Sequence, residues 1–319
     1  RRSARLADPA TALKLAQLPR HDLARGAQFG CHLLMRCFDL PCAALQIDQL
    51  LRKPDIDALE TLLQQFRPGA LFINSHHHNP TGSCLSPSVA QRILQLSKTY
   101  DLRLIEDDVY GDLAGDGQRP PACKAFDGSG NVLYCGSVSK TLAPGWRVGW
   151  IAAGRFHAQV LQVRLAGDWA GAPLLEAAVS EVLASGDYDR HLRRLKSRVQ
   201  AGVQAVTARV EASFPPGTRV SAPRAGFLLW VELPRQVNAL EVHRRALELG
   251  IGVSPGPLFS SRSDLPNHLR LNCANEPTPR LLGAVGQVGE ICRGLVEGAA
   301  ARQGAHVGQP TSSRAARAP

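Results

Sequence analysis

The order of hydrophobic and polar positions predicts alternating helices and strands between residues 55 and 152. Apolar residues at helical spacing predict a helix over residues 55–66, which Arg67-Pro68-Gly69 ends, and a second helix over residues 87–100. Strands that are apolar throughout are typical of a parallel α/β sheet with helices on both faces. Such runs predict buried strands at residues 70–73, 102–105, 131–135 and 148–152.

The C-terminal half has a different pattern, which predicts a smaller α+β domain. A long helical pattern over residues 174–212 is broken near Ser185-Gly186-Asp187, and the pattern changes after Pro215. Strands then follow at 227–233 and 268–272, a turn at 252–257, and helices at 238–250 and 277–297. The predicted domains are a large domain over 43–185 and a small domain over 186–298, between an atypical basic segment, 1–42, and a disordered tail, 299–319.

Polar side chains follow three of the predicted strands. Asn79, Asp107 and the segment Ser137 to Lys140 each come after a strand. Ligands of open α/β sheets bind beyond the carboxyl ends of the strands. The sequence therefore predicts a ligand site at that edge of the sheet.

The segment around Lys140 carries the clearest chemistry. Two hydroxyls, Ser137 and Ser139, precede the lysine, and Arg147 follows it. Hydroxyls, an arginine fork and turn amides suit a phosphate dianion. A partly desolvated lysine beside them has a lowered pKa and attacks an aldehyde to form a Schiff base, and pyridoxal phosphate is an aldehyde that bears a phosphate. Lys124 is the nearest rival lysine, but it lacks a surrounding hydroxyl cluster.

Each motif alone also has an ordinary structural interpretation. Asn79-Pro80-Thr81-Gly82 is typical of a turn, Asp107-Asp108 of a helix N-cap, and Arg270 of an ion pair. The run His76-His77-His78 resembles a metal cluster, but neighbours on an extended chain point to opposite faces. We therefore expect these histidines to line a loop and expect no metal site.

Composition and charge narrow the class of protein. The chain is 44% hydrophobic and 20% charged, which allows a buried core, and it has no apolar run long enough for a transmembrane helix. The two ends supply eight of the ten net positive charges, without a nucleic-acid-reading motif. Without a secretory signal or a CxxC pair, we expect a cytoplasmic protein with free thiols and no nucleic-acid partner for this chain alone.

Four phrases in order resemble those of the fold-type-I pyridoxal-phosphate enzymes, class I/II aminotransferases. In detail the chain resembles the aminotransferase-like domain of MocR-type GntR regulators and the aminoadipate and aromatic aminotransferases. The resemblance covers roughly residues 43–297. The phrases are Asn79-Pro80-Thr81-Gly82, Ile105 to Tyr110, Ser137 to Gly149, and His268 to Asn272.

The resemblance implies a role for each matching residue. Lys140 would form the Schiff base, and Asp107 would pair with the pyridine nitrogen, with Asp108 and Glu106 as alternative partners. Keeping the ring cationic lets it withdraw electrons from the substrate. The remaining roles are phenolic-oxygen binding by Asn79 and Tyr110, phosphate binding by Ser137, Ser139 and Arg147, and substrate α-carboxylate binding by Arg270.

The front of the chain departs from the family pattern. Residues 1–42 contain neither the small-residue phosphate loop that enters a helix nor the aromatic residue that stacks on the cofactor ring. The winged-helix DNA-binding domain of the MocR regulators is not recognisable either. The sequence thus predicts a large domain that is incomplete on its N-terminal side.

The function predicted from these residues is a pyridoxal-phosphate-dependent aminotransferase. It would act as a homodimer on α-amino-acid and 2-oxo-acid substrates, through a Schiff base on Lys140. Two alternatives stay open: the effector domain of a MocR-type regulator without its DNA-binding half, and an inactive remnant.

Overall fold

A computed structural model describes residues 45–46, 56–115, 119–167, 171–221, 223, 225–260 and 265–307. The predicted basic segment, 1–42, and the last twelve residues of the predicted tail lie outside these ranges.

The first part of the described chain forms a five-stranded sheet in the order β1-β2-β3-β4-β5. The first four strands are parallel, and β5 pairs with β4 in the antiparallel direction. This agrees with the predicted mainly parallel α/β sheet. The strands are β1 (Leu45–Gln46), β2 (Ala70–Asn74), β3 (Arg103–Asp107), β4 (Val132–Ser137) and β5 (Gly149–Ala152).

Two helices cover one face of this sheet and build its core. Helix α1 (Ile56–Phe66) buries Leu59 and Leu63, and helix α2 (Pro87–Thr99) buries Ile93 against the same cluster. Burying each such side chain contributes about 1.5–3 kcal/mol. Helix α2 begins where the hydroxyl of Ser86 accepts a hydrogen bond from the backbone N–H of Val89 at 3.3 Å.

Three helices connect the first sheet to a second, four-stranded sheet. They are α3 (His157–Gly167), α4 (Pro173–Ala184) and α5 (Asp187–Ser213), so α4 and α5 are separated at the predicted break. The second sheet has the order β6-β7-β9-β8 and is antiparallel. Its strands are β6 (Arg219–Val220), β7 (Leu228–Glu232), β8 (Ser254–Pro255) and β9 (His268–Asn272).

The second sheet shares a core with α5, with α6 (Ala239–Glu248) and with α7 (Pro279–Val307). Val206 and Val210 of α5 pack there with Leu229 and Leu269 of the sheet and with Val288 of α7. Helix α5 therefore contributes side chains to the core beneath the strand that carries Arg270.

The structure contains elements that the sequence analysis did not predict, among them helix α3 and the two-residue strands β1, β6 and β8. The predicted turn at 252–257 contains the short edge strand β8, because a two-residue pairing leaves no alternating pattern to read. Strand β1 was not predicted for the same reason. Helix α7 continues to Val307, so it includes the first nine residues of the predicted tail, 299–319, whose alanines favour a helix.

No helix within the described ranges combines the length and the apolar character needed to cross a membrane. The five cysteines in these ranges carry free thiols, and Cys123, Cys273 and Cys292 among them are buried.

Candidate functional site

The carboxyl ends of β2, β3 and β4 lie side by side at one edge of the sheet. In register, Asn74 lies opposite Asp107, and Asp107 lies opposite Cys135. The segments that leave these strands carry Asn79, Tyr110 and Lys140. The parallel pairing of β2, β3 and β4 brings the polar groups that follow these strands to one edge of the sheet, as predicted.

Asp107 is buried with few partners for its carboxylate. Its side chain accepts a hydrogen bond from the backbone N–H of Val109 at 3.3 Å, and Nδ2 of Asn74 donates to its backbone carbonyl at 3.0 Å. Burial raises the pKa of Asp107 to about 6. The hydrogen bonds of Asn74 and Val109 lower this pKa in part, and the charge of Lys140 lowers it by a smaller amount. A carboxylate that is hard to ionise in the protein alone is suited to a cationic ligand.

The two neighbouring acids are engaged elsewhere. Glu106 accepts hydrogen bonds from the backbone N–H groups of Cys123 and Lys124 at 2.7 and 2.9 Å. Asp108 lies 2.7 Å from Nδ1 of His76 and accepts a hydrogen bond from Arg119 at 2.5 Å. Because both oxygens of each are engaged, Asp107 has the carboxylate best placed for a ligand.

Lys140 lies in the turn that follows β4, residues 138–143, which we call the lysine turn. Its side chain is partly buried, and Nζ lies 5.7 Å from the centre of the Tyr110 ring. Burial lowers the pKa of Lys140, and the positive charges of Arg147 and Arg270 lower it further, while Asp107 opposes them. The neutral amine, which is the nucleophile, is therefore more populated near neutral pH than for an exposed lysine.

The predicted phosphate ligands lie beside the lysine turn. The hydroxyl of Ser137 lies 2.8 Å from that of Ser139 and 2.8 Å from the carbonyl oxygen of Val148, and it accepts from the N–H of Ser139 at 3.1 Å. Arg147 is exposed and has a φ of +55°, in the left-handed region. A Cβ on Gly149 would lie 2.8 Å from the carbonyl oxygen of Gly136, so this close approach of backbones requires glycine.

Arg270 brings the second sheet to the site. Its Nη1 donates to Oδ1 of Asn79 at 2.8 Å, and its Nη2 donates to Oγ of Ser254 at 3.1 Å. The guanidinium lies 4.8 Å from the centre of the Phe259 ring. Its buried Nε has no hydrogen-bond partner among the residues that the structure describes, and burial lowers the pKa of Arg270. This unused donor fits an external carboxylate.

Tyr110 and Asn79 each follow a strand of the first sheet and contact a residue in or beside the second sheet. Tyr110 is buried edge-on against Phe227, with ring centres 5.6 Å apart. Burial raises the pKa of Tyr110 to about 12, so its hydroxyl keeps its proton and can donate a hydrogen bond. The hydrogen bond between Asn79 and Arg270 joins residues 191 positions apart in the sequence.

The three consecutive histidines have separate surroundings, as expected for a loop lining. His76 contacts Asp108, and Nδ1 of His78 lies 3.1 Å from the hydroxyl of Thr81. Within the described ranges, no group of three His, Cys, Asp or Glu side chains is placed to hold a metal ion.

Sequence reasoning missed several residues that support the site. Thr141 follows Lys140 and contacts Tyr188 and His191 of α5, while Ser254 and Phe259 contact Arg270. Their partners lie far away in the chain, so local patterns carry no signal for these contacts. The lysine turn itself was the one signal that could have directed attention to Thr141.

The comparison with protein families decides the assignment. The profile of the family described as aminotransferase class I and II matches residues 48–286. The chain belongs to this family. The match includes strands β2 to β9 and the predicted site residues.

Curated relatives within this family include both regulators and enzymes. The HTH-type transcriptional regulator YjiR of Escherichia coli is 34% identical over 235 residues, which cover 74% of this chain and 50% of the regulator. The 2-aminoadipate transaminase of Thermus thermophilus is 31% identical over 250 residues, covering 76% of this chain and 62% of that enzyme. The chain thus spans between half and two thirds of the length of these relatives.

Solved structures of aminotransferases have the same fold. The α-aminoadipate aminotransferase LysN of Thermus thermophilus, complexed with N-(5'-phosphopyridoxyl)-L-leucine, aligns with a TM-score of 0.72 at 30% identity, over 77% of this chain and 64% of that one. The multiple substrate aminotransferase of Thermococcus profundus aligns with a TM-score of 0.71 at 26% identity, over 77% and 62% of the two chains. The predicted fold, a fold-type-I pyridoxal-phosphate transferase, is confirmed.

Proposed function

We propose that the chain binds pyridoxal phosphate and transfers the amino group of an α-amino acid to a 2-oxo acid. The observation that carries the proposal is the meeting of Arg270, from the second sheet, with Asn79, Tyr110 and Lys140, from the first sheet. Arg270 contacts Asn79 directly, and its charge acts on both Tyr110 and Lys140.

The residues present fit the cofactor. Asp107 is a buried carboxylate that would pair with the protonated ring nitrogen, and Ser137, Ser139 and Arg147 supply hydroxyls and a cation for the phosphate. The amide nitrogen Nδ2 of Asn79, whose Oδ1 accepts from Arg270, and the hydroxyl of Tyr110 would hold the phenolic oxygen. When bound, pyridoxal phosphate supplies an aldehyde that carries the amine and a ring that withdraws electrons from the substrate Cα.

The chain's own residues would then bind the substrate and move its proton. Arg270 would hold the α-carboxylate through its unused Nε and an adjacent Nη, a paired geometry that orients Cα. Lys140, whose pKa is lowered, would accept the Cα proton at Nζ and deliver it to the other side of the transferred amine.

The first test is the absorption spectrum of the purified chain with added pyridoxal phosphate. We expect a visible band, and after borohydride reduction and digestion we expect the cofactor mass on the peptide that contains Lys140. Lys124 is the internal control, because its Nζ already contacts Asp127 at 3.1 Å and the carbonyl of Val132 at 2.7 Å. Label on Lys124, or the absence of a band in folded protein, contradicts the proposal.

Substrate addition separates the proposed functions. Loss of the band with L-2-aminoadipate or an aromatic amino acid, and its return with a 2-oxo acid, supports an aminotransferase. A band that amino acids perturb but do not consume supports the alternative, an effector domain of a MocR-type regulator. That alternative is favoured by the regulators among the relatives, of which YjiR is covered over 50% of its length. The third possibility, an inactive remnant, gives no band.

Substitution of Arg270 by Lys tests carboxylate binding. A lysine keeps the charge but loses the paired donors, so we expect KM for the amino acid to rise by roughly 10–100-fold with a smaller change in kcat. The matched control is Arg219→Lys in the same sheet, an exposed residue whose nearest acid, Glu232, lies 3.8 Å away. Equal KM values for the two variants would exclude Arg270 as the carboxylate ligand.

We further propose, from the family resemblance alone, a cytoplasmic homodimer. Light scattering during size-exclusion chromatography measures its mass, and a monomeric mass contradicts it.

A further inference from the structure

A hydrogen-bond cluster, in which Thr141 and Tyr188 are buried and His191 is exposed, holds the residue that follows Lys140. The side chain of Thr141 is buried, and its Oγ1 lies 3.0 Å from the hydroxyl oxygen of Tyr188. Nε2 of His191 lies 2.7 Å from the backbone carbonyl oxygen of Thr141. Because a carbonyl only accepts, Nε2 of His191 carries a hydrogen in this contact. Two side chains from the start of α5 therefore hold both the side chain and the backbone of Thr141.

Tyr188 continues this cluster towards the other end of the site. Its hydroxyl donates to Oδ2 of Asp112 at 2.7 Å. A phenol has one hydrogen and an ionised carboxylate only accepts, so Thr141 donates to Tyr188 while Tyr188 donates to Asp112. The three groups form one ordered chain of hydrogen bonds.

Arg119 connects this chain to the residue that follows Asp107. Its Nε lies 3.2 Å from Oδ1 of Asp112, and its Nη2 donates to Oδ2 of Asp108 at 2.5 Å. Asp108 is fully buried and holds the pKa of Arg119 above its usual value. A continuous set of polar contacts thus leads from the neighbour of Asp107 to the neighbour of Lys140.

The other end of α5 is fixed in the second core. Val206 and Val210 pack beneath β7 and β9, the strands on which Trp230 and Arg270 lie opposite each other. The N-terminal part of helix α5 therefore contacts the lysine turn, and a later part of the same helix packs beneath β9, the strand that carries Arg270. A rigid element with contacts at both places can set their relative position.

We propose that Tyr188 and His191 are positioning residues, which hold Lys140 in register with Asp107 through Thr141. The inference rests on the proposed function, since Lys140 and Asp107 must act on opposite parts of one cofactor. Neither Tyr188 nor His191 is assigned a direct contact with the reacting atoms.

The restraint on the lysine turn is tested first, without cofactor, by amide hydrogen exchange of wild type and Tyr188→Phe. The N–H groups of Thr141, Leu142 and Ala143 all donate to the carbonyl of Val138, so they report opening of this turn. Loss of one hydrogen bond is expected to speed exchange in residues 138–143 by about tenfold. The matched control is Tyr100→Phe, whose hydroxyl accepts from Gln64 at 3.2 Å, away from the site.

The effect on the reaction is tested with His191 as well. His191→Gln keeps a nitrogen donor near Nε2 and should retain wild-type kcat, whereas His191→Leu and Tyr188→Phe should lower kcat about tenfold with KM unchanged. The visible cofactor band is recorded for each variant, and we expect a shift in the two that lose the hydrogen bond.

The outcomes are separable. Unchanged exchange in residues 138–143 overturns the inference, and so does faster exchange with unchanged kcat and spectrum, which would be a stabilising contact only. If Tyr188→Phe speeds exchange throughout the chain, the positioning role is judged from the difference between His191→Gln and His191→Leu. Exchange is measured without cofactor, so it tests the restraint on the turn independently of cofactor binding. The absence of a visible band in wild type would refute the proposed function and would leave the exchange test valid.

Discussion

Replacement of Lys140 by Ala is expected to slow amine transfer from an amino acid to bound pyridoxal phosphate by roughly 10⁴-fold. Lys140 is the one group proposed to move the Cα proton, and burial, together with the charges of Arg147 and Arg270, lowers its pKa and so favours the neutral, basic amine. Single-turnover absorption measurements after mixing with the amino acid give the rate. The variant should still bind the cofactor, because Asp107, Arg147 and the serine hydroxyls remain.

The control for Lys140 is a lysine with a structural role. Lys124→Ala removes hydrogen bonds to Asp127 and Val132, so it should lower the free energy of unfolding and leave the rate of amine transfer near that of wild type. The reverse pattern, with transfer lost in Lys124→Ala and kept in Lys140→Ala, would refute the assignment of the base. Similar loss in both would show that folding, not chemistry, is being measured.

The sequence was sufficient to predict strands β2, β3 and β4 and the polar groups that follow them. Asn79, Asp107 and Lys140 follow apolar runs that form β2, β3 and β4, and parallel pairing brings their carboxyl ends to one edge. The alternation of side chains along β3 also explains the choice among its acids, since Glu106 and Asp108 both face away from Asp107. The division into domains after residue 185 and the roles of the site residues stay predictions.

The supporting contacts could not be read from the sequence. Tyr188 and Thr141 are 47 positions apart, and Arg270 and Asn79 are 191 apart. Side chains with ordinary neighbours gain a role only when tertiary packing brings distant elements together, and a single sequence carries no record of that. The short strands β1 and β8 were missed because two residues show no periodicity.

Replacement of Asp107 by Asn is expected to make the cofactor-free protein more stable and the loaded protein far less active. The folded chain holds a proton on Asp107 up to about pH 6, whereas the unfolded chain releases it near the ordinary value of 3.8. Between these values the folded state binds more protons, so the free energy of unfolding falls as pH rises. Above about pH 6 the ionised Asp107 carboxylate destabilises the folded state to its full extent, by about 3 kcal/mol at most.

Asparagine removes this charge, so the stabilisation should appear only at the higher pH. We expect Asp107→Asn to resist denaturant better than wild type at about pH 8 and to show no advantage at about pH 4. The matched control is Asp101→Asn, an exposed carboxylate paired with Arg155, which should show neither effect. Equal gains at both pH values would mean that the change acts through packing and not through the buried charge.

The same substitution should lower the rate of amine transfer by about 10²–10³-fold, because a neutral amide cannot hold the proton on the ring nitrogen. The opposite signs of the two effects follow from one property of the residue. A carboxylate that lacks a strong partner inside the protein destabilises the empty fold, and a cationic ring supplies the partner. If Asp107→Asn gained stability and kept full activity, Asp107 would not be the residue that pairs with the ring nitrogen. Asp108 and Glu106 could not take its place, because their carboxylates are already hydrogen-bonded.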